Sequence, residues 1–387
     1  MKILFMGINF HGEGSIHGAN TVNGYIEHAE NIVEVLSEIA DVIVATDQPE
    51  RYNKRNFQAI NLYHSIVPNL ANINQFWRKA FPVVTGNEDE FSRDTLYKLI
   101  HLANSLDLEK LTELQVNNHF DYVMLNRHEC FFMQELAIFK ETKLIYVAHD
   151  SQYLRRLNYQ DFYGIDQSLV CIEQVVEKSL LQKSERVLAI CSKEAEYFKG
   201  VAGDNVKVFV FRPKVTKPLG LVTLQISGRV KIYFLGVNNF VNRQTLLAAL
   251  EMLELITDKE SFEFHVIGSV CSILDGVERS FKVIAHGQVE SLEGVMAGCD
   301  VLLAPVLLGS GAPIKIADAL SYGHYVITTE SVASVYSEFI GERIFIGSNI
   351  EKILNIIKKS EQGITSIPVY ENYSNQNKME LKRLLKS

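Results

Sequence analysis

The chain has 387 residues, 47% hydrophobic and 22% charged, so it is long enough for about two domains with cores of their own and too apolar for wholesale disorder. Its 38 Lys and Arg against 46 Asp and Glu leave a net charge of −8, which argues against general nucleic-acid binding and leaves only a local basic patch to meet an anionic partner. The apolar N-terminal run is too short for a signal peptide and no stretch of about 18 apolar residues offers a membrane span, so a cytoplasmic protein is expected.

The pattern alternates strand and helix, as in an α/β protein with parallel sheets. Residues 2–7 read as a buried strand, followed by a glycine-rich loop with Gly12, Gly14 and Gly18. Val22, Ile26, Ala29, Ile32, Val33, Leu36 and Ile39 recur at helical spacing and predict a helix over about 20–39. Strands are expected at 41–46, 122–125 and 144–147. Residues 50–118 are aromatic and weakly patterned. A helix over 166–184 and a strand over 187–190 follow, then Ser192 as N-cap of a helix with Glu194 and Glu196 in its first turn. Arg212-Pro213-Lys214 and Lys217-Pro218-Leu219-Gly220 read as an extended connector. Beyond it the alternation restarts. Strands are expected at 231–235, 262–267, 282–285, 301–304 and 325–328. Helices are expected at 243–256, 292–297, 314–321 and 350–359, with a basic helical tail from about 375. This divides the chain into 1–210, a linker at 211–228, a second domain at 229–365 and a tail at 366–387 expected to return to the first.

Cys130, Cys171, Cys191, Cys271 and Cys299 are odd in number, scattered, and form no Cys-x-x-Cys. That is the usage of a reducing compartment, and no structural zinc site is expected.

The strongest chemical signal is Gly309-Ser310-Gly311-Ala312-Pro313-Ile314-Lys315-Ile316-Ala317-Asp318, a glycine turn that opens a helix. Glycines let backbone N–H groups approach an anion, and the helix start adds its positive end. Lys315 supplies a cation, and Asp318, three residues on, shares its helix face. Together they could hold a nucleoside diphosphate, the carboxylate accepting from the ribose hydroxyls. A plain helix-starting turn with a surface Lys–Asp pair is the competing reading.

From His286-Gly287-Gln288-Val289 through Gly298-Cys299-Asp300-Val301 and Ala304-Pro305 to Gly323, the sequence resembles the donor-binding half of retaining glycosyltransferases of the GT-B fold, family 4 or group 1. Phe234-Leu235-Gly236 followed by Asn242 extends the likeness upstream, as do Gly18-Ala19, Val147-Ala148-His149-Asp150, Glu177 and Ser184-Glu185-Arg186-Val187. The resemblance implies two Rossmann-like domains facing each other across a cleft, and transfer from a nucleotide sugar, a UDP-sugar before others. Lys315 and His149 would serve catalysis. Gly18, Gly236, Gly287, Gly309, Ser310, Gly311, Ala312, Lys315 and Asp318 would bind the donor nucleotide. No cofactor or metal is implied, and the chain has no Asp-x-Asp. The family's Glu is replaced by Asp318, and the Arg that many members carry is replaced by Pro313. Asp300 reads as structural. His128, Glu129 and Asp150 are candidates for sugar or acceptor contact, with solvation the competing reading for His128 and Glu129.

The acceptor implied is a glycan or a lipid-linked glycan, in cell-surface polysaccharide or lipopolysaccharide synthesis. A sugar-nucleotide 2-epimerase and a non-catalytic nucleotide-sugar-binding subunit are the alternatives. Trp77, Arg78, Lys79 and Phe81 lie in the unpatterned segment and suggest a peripheral contact with anionic membrane at the inner face of the plasma membrane. One apolar helix face packed on the domain would explain them equally.

Overall fold

The computed structural model describes residues 1–8, 24–46, 48–52, 55–63, 106–163, 167–204, 206–216, 228–274, 276, 278–307, 311–359 and 367–386. They form two units, Met1–Arg212 with Asn377–Ser387, and Pro213–Gln376.

The first unit holds seven strands: β1 (Lys2–Ile8), β2 (Asp41–Thr46), β3 (Gln58–Ile60), β4 (Tyr122–Asn126), β5 (Lys143–Val147), β6 (Arg186–Ala189) and β7 (Lys207–Val210). They pair in the order β3-β2-β1-β4-β5-β6-β7, all parallel. Its helices include α1 (Gly24–Ser37), α2 (Leu108–Asn118), α3 (Gln152–Tyr163), α4 (Gln167–Lys183) and α5 (Ser192–Ala202). The strands are apolar on both faces because helices cover both, and the core divides accordingly. Leu4, Val123 and Tyr146 pack to one side, with Leu180 and Phe198. Ile3, Phe5 and Ile145 pack to the other, against Ile26, Ala29, Ile32, Val33 and Leu36 of α1, at the spacing expected from the sequence.

The second unit repeats the plan with β8 (Val230–Leu235), β9 (Phe262–Ile267), β10 (Val283–Gly287), β11 (Val301–Ala304), β12 (Tyr325–Thr328) and β13 (Ile344–Ile346), in the parallel order β10-β9-β8-β11-β12-β13. Its helices include α6 (Phe240–Glu254), α7 (Ile314–Ser321) and α8 (Ile350–Lys359). In α8, Ile350, Ile353, Leu354 and Ile357 recur at helical spacing and are all buried, each contributing about 1.5–3 kcal/mol. In both sheets the strand order reverses at one place, between β1 and β4 and between β8 and β11. Open parallel sheets bind ligands at the carboxyl edge of that place.

The last helix, α9 (Ile367–Lys386), crosses the division of the units. Its Tyr370 hydroxyl donates to the Leu320 carbonyl at 3.0 Å, and Tyr373 to the Pro213 carbonyl at 2.8 Å. Beyond Asn377, which donates to the Arg212 carbonyl at 2.9 Å, Leu381 and Leu384 lie in the first unit's core.

Candidate functional site

At the carboxyl edge of the second sheet, the glycine turn is described from Gly311, which has φ +81°. Pro313 then starts α7. Ile316, Ala317, Ala319 and Leu320 bury one side of this helix, so Lys315 and Asp318 emerge half-buried on the other. The Lys315 ammonium donates to Asn242 Oδ1 at 2.7 Å and stands 4.5 Å from the centre of the Phe234 ring. Asn242 is held in turn, its Nδ2 donating to the Val237 carbonyl at 3.0 Å and its N–H to the N-cap Asn239 at 2.9 Å. Gly236 makes room, since a Cβ there would come within 2.9 Å of Asn242 Cγ. The ends of β8 and the starts of α6 and α7 thus converge on one cation.

Burial brings Lys315 down from its usual value near 10.5 to about 7. A neutral amide and an aromatic face compensate only part of the lost hydration. An arriving anion would supply the missing counter-charge, and a charge-assisted bond is roughly twice as strong as a neutral one. Asp318 lies one turn further on. Burial, then the charges of Glu293 and Asp318, push the Tyr322 phenol up. At the end of β10, Gly287 has φ +65° and its N–H donates to Cys271 Sγ at 3.3 Å. His286 is stacked on His265 with its Nε2 2.9 Å from His265 Nδ1. Asp300 accepts from the Lys231 N–H at 2.8 Å and ties the entrance of β11 to β8, the structural part expected of it.

In the first unit, Asn126 closes β4 at the reversal point. Its Nδ2 donates to the Gly7 carbonyl at 2.8 Å, which leaves Oδ1 to accept from His149 Nε2 at 2.6 Å. His149 follows β5 and meets His28 edge-on, ring centres 5.2 Å apart, with His28 against Phe211. Burial, then the neighbouring His28 and Arg127, hold His149 well below its usual value, and burial takes His28 to about 3. Both rings are neutral at physiological pH. His149 Nδ1 is buried, while the residue as a whole is half-buried.

The turn after His149 rests on buried carboxylates. Glu194 accepts from the Ser151 N–H at 2.6 Å, and Glu177 accepts from Ser151 Oγ at 2.8 Å and the Gln152 N–H at 2.9 Å. Burial pushes Glu177 up to about 8, against the pull of those bonds, so it is largely protonated at neutral pH. Asp150 pairs with Arg155 at 3.0 Å and accepts from Gln152 Nε2.

Two expectations are corrected here. His128 is not solvated: it is buried, with Nε2 3.4 Å from Glu173, whose carboxylate also faces Arg156 at 3.6 Å. The N-cap of α5 is Cys191, not Ser192, and Glu194 in the first turn points inward to Ser151 rather than along the helix start.

Gly18, Gly309, Ser310, Trp77, Arg78, Lys79 and Phe81 lie outside the described residues, and so does the Glu129 side chain. The structure brings Lys315, Asp318, Gly236, Gly311 and Ala312 to one sheet edge, with Gly287 closing the outer strand of the same sheet. Asn242 and Asn126 are the contacts that the sequence reading did not single out as site residues. Each is a polar residue following an apolar strand, a signal that many structural residues share.

Residues 229–359, about a third of the chain, match the family model described as glycosyl transferases group 1. No curated protein matches the sequence. Among solved structures, HepE from Anabaena, in complex with UDP-glucose, is similar at a TM-score of 0.64 and 11% identity, covering 100% of both chains. Sucrose-phosphate synthase from Thermosynechococcus elongatus is similar at 0.63 and 12%, covering 98% of this chain and 94% of that one. WaaG, a glycosyltransferase involved in lipopolysaccharide biosynthesis, is similar at 0.54 and 13%, covering 98% and 95%. The chain has the GT-B fold of two Rossmann-like domains.

Proposed function

We propose that the protein is a glycosyltransferase that moves a sugar from a nucleotide-diphosphate donor, a UDP-sugar before others, to a hydroxyl of a glycan or lipid-linked acceptor, with the anomeric configuration retained. The observation that carries the reading is the Lys315 ammonium, held at a helix start on the carboxyl edge of the sheet with a neutral amide for its partner. UDP-glucose in the similar HepE structure favours the nucleotide. The described function of WaaG favours a cell-surface glycan as acceptor.

In the step proposed, the bond between the anomeric carbon and the diphosphate oxygen breaks, and its electron pair leaves with the diphosphate. Lys315 and the backbone N–H groups from Gly311 onward stabilise the charge growing there. The acceptor oxygen bonds to the anomeric carbon and its proton passes to the leaving phosphate. No side chain is then needed as a dedicated base, which suits a neutral His149. Asp318 accepts from the ribose hydroxyls. Charge stabilisation by Lys315 makes a metal ion unnecessary in this reading. For a lipid-linked acceptor, Trp77, Arg78, Lys79 and Phe81 would lean on the anionic inner face of the membrane.

The test is a panel of nucleotide sugars followed by anomeric proton NMR without acceptor. Slow hydrolysis to sugar and nucleoside diphosphate supports transfer. Formation of an epimer indicates a 2-epimerase, and tight binding without turnover indicates a binding subunit.

A further inference from the structure

The first unit has a second chemical feature, remote from the edge that carries Asn126 and His149. A cavity of about 800 Å3 opens where α5 ends and β7 begins, with the last turns of α9 as its other wall. That volume is within the range of ligand clefts, about 300–1,000 Å3. The loop entering β7 lies at the amino edge of a parallel sheet, so the cavity is at the opposite end from the strand ends described above.

Its walls are basic in a chain of net charge −8. Among the described residues Lys199, Lys207, Lys382, Arg383 and Lys386 line it, with Asp204 as the one acidic residue. Arg383 pairs with Glu380 at 2.6 Å, whereas Lys199, Lys382 and Lys386 have no acidic partner among the described residues. The arrangement on α9 follows from helical spacing. Leu381, Leu384 and Leu385 face the core, which turns Met379, Lys382, Arg383 and Lys386 outward as one stripe. Met379 is 56% exposed.

The floor of the cavity is the sheet edge at β7, which among the described residues is the outermost strand and pairs only with β6. Lys207 and Phe211 donate their N–H groups to the Glu185 and Ala189 carbonyls of the β6 side. Backbone direction alternates along a strand, so Val208, between them, points its N–H and C=O away from β6. Val206, Lys207, Val208 and Phe209 all line the cavity, although their side chains alternate, because it runs along the strand edge rather than over one face.

We propose that this groove binds an acidic, extended peptide segment of a partner protein, which adds to β7 as a further strand. Main-chain bonds to Val208 would set its register, and alternate carboxylates would meet the lysines of α5 and α9. The concave shape and the free strand edge favour a peptide over a flat lipid surface. The bare alternative is that the lysines only guard an exposed edge against unwanted pairing.

The probe is an eight-residue peptide of alternating Val and Glu, titrated into the whole chain, with alternating Val and Lys as control. Binding should weaken about tenfold or more in Lys382→Glu/Lys386→Glu, and should weaken as salt is raised. Hydrogen exchange at the Val208 amide should slow on binding. Val208→Pro removes the outward N–H and trims a partly buried side chain, changes that an edge strand tolerates, so this variant should keep the wild-type circular dichroism and fail to bind. Undiminished peptide binding by Val208→Pro, or exchange at Val208 unchanged at saturation, would overturn strand addition. Binding of phosphatidylglycerol vesicles but not of the peptide would reassign the groove to a membrane. Binding of neither would leave the lysines as edge protection. All readouts are independent of sugar transfer, so failure here leaves the proposed activity standing.

Discussion

The two sheets reverse their strand order in the same way but equip that point with opposite chemistry. In the second unit the edge between β8 and β11 presents a cation, Lys315, half-buried and held by a single neutral amide. In the first unit the edge between β1 and β4 presents neutral imidazole and amide groups, backed by carboxylates buried under the turn after β5. One edge is built to gain charge compensation from a ligand. The other ties its own groups to one another and is built to keep its shape. Fold alone decides neither, since both units share it; the side chains that follow the strands do.

The largest effect should come from the edge with the cation. Lys315→Met is expected to lower turnover of the nucleotide sugar by about 10²–10³, the cost of removing one preorganised donor from a developing charge. Steady-state kinetics reads it, and turnover within threefold of wild type would remove Lys315 from the chemistry.

In the other unit the sharp effect is on stability. Glu177→Ala leaves Ser151 Oγ and the Gln152 N–H without their acceptor, at about 1–3 kcal/mol each, and urea unfolding should report the loss. Glu177→Gln keeps an acceptor oxygen and should cost much less. It should also change the pH dependence. The folded-state pKa of Glu177 is raised to about 8 from 4.5, so the native state keeps a proton that the unfolded state gives up. This group's contribution is complete below about pH 4.5 and is lost as pH rises toward about 8. The slope is at most about 1.4 kcal/mol per pH unit. Glu177→Gln should flatten it, and identical slopes in both proteins would contradict the buried, protonated carboxyl.

A smaller effect belongs to Asp318. Asp318→Ala should weaken UDP binding about tenfold by removing a charge-assisted bond to ribose, with the fold intact. Unchanged affinity in calorimetry would end that assignment. The smallest expected effect is none: excess EDTA should leave turnover unchanged. Loss of activity restored by Mg²⁺ or Mn²⁺ would show that Lys315 does not act alone.

How far the sequence was legible follows the same division. The long elements declared themselves, because α1 and α8 repeat apolar residues at helical spacing and the strands are continuous apolar runs. The edge strands β3 and β13, three residues each, are too short to carry a pattern, and β7, as long as β11 and β12, buries only Phe209 where they are buried throughout. Helix α2 was missed because it buries only Leu111 and so has no apolar stripe, although Asp107 caps it. In the site, Lys315 and Asp318 were found because a glycine turn and a helix start lie side by side in the chain. The support under the His149 turn was not, since Glu177 and Glu194 are 26 and 43 residues from the Ser151 they hold, and their place in the sequence does not say which groups they bond to.

The central claim is that Lys315 meets the diphosphate of the donor, and its ionisation offers the most direct test. Burial lowers the pKa of Lys315 to about 7 in the free protein, and a bound diphosphate would hold the ammonium charged. Affinity should therefore be constant below about pH 7 and weaken toward tenfold per pH unit above it, as binding must take up a proton. The ligand should be UDP-glucose, whose diphosphate does not titrate between about pH 6 and 8.5. Calorimetry across that range, on the wild type and on Lys315→Met, is the measurement. The account predicts that the wild type weakens above about pH 7, while the variant binds less tightly and shows no such dependence. Equal affinity and equal pH profiles in the two proteins would contradict it.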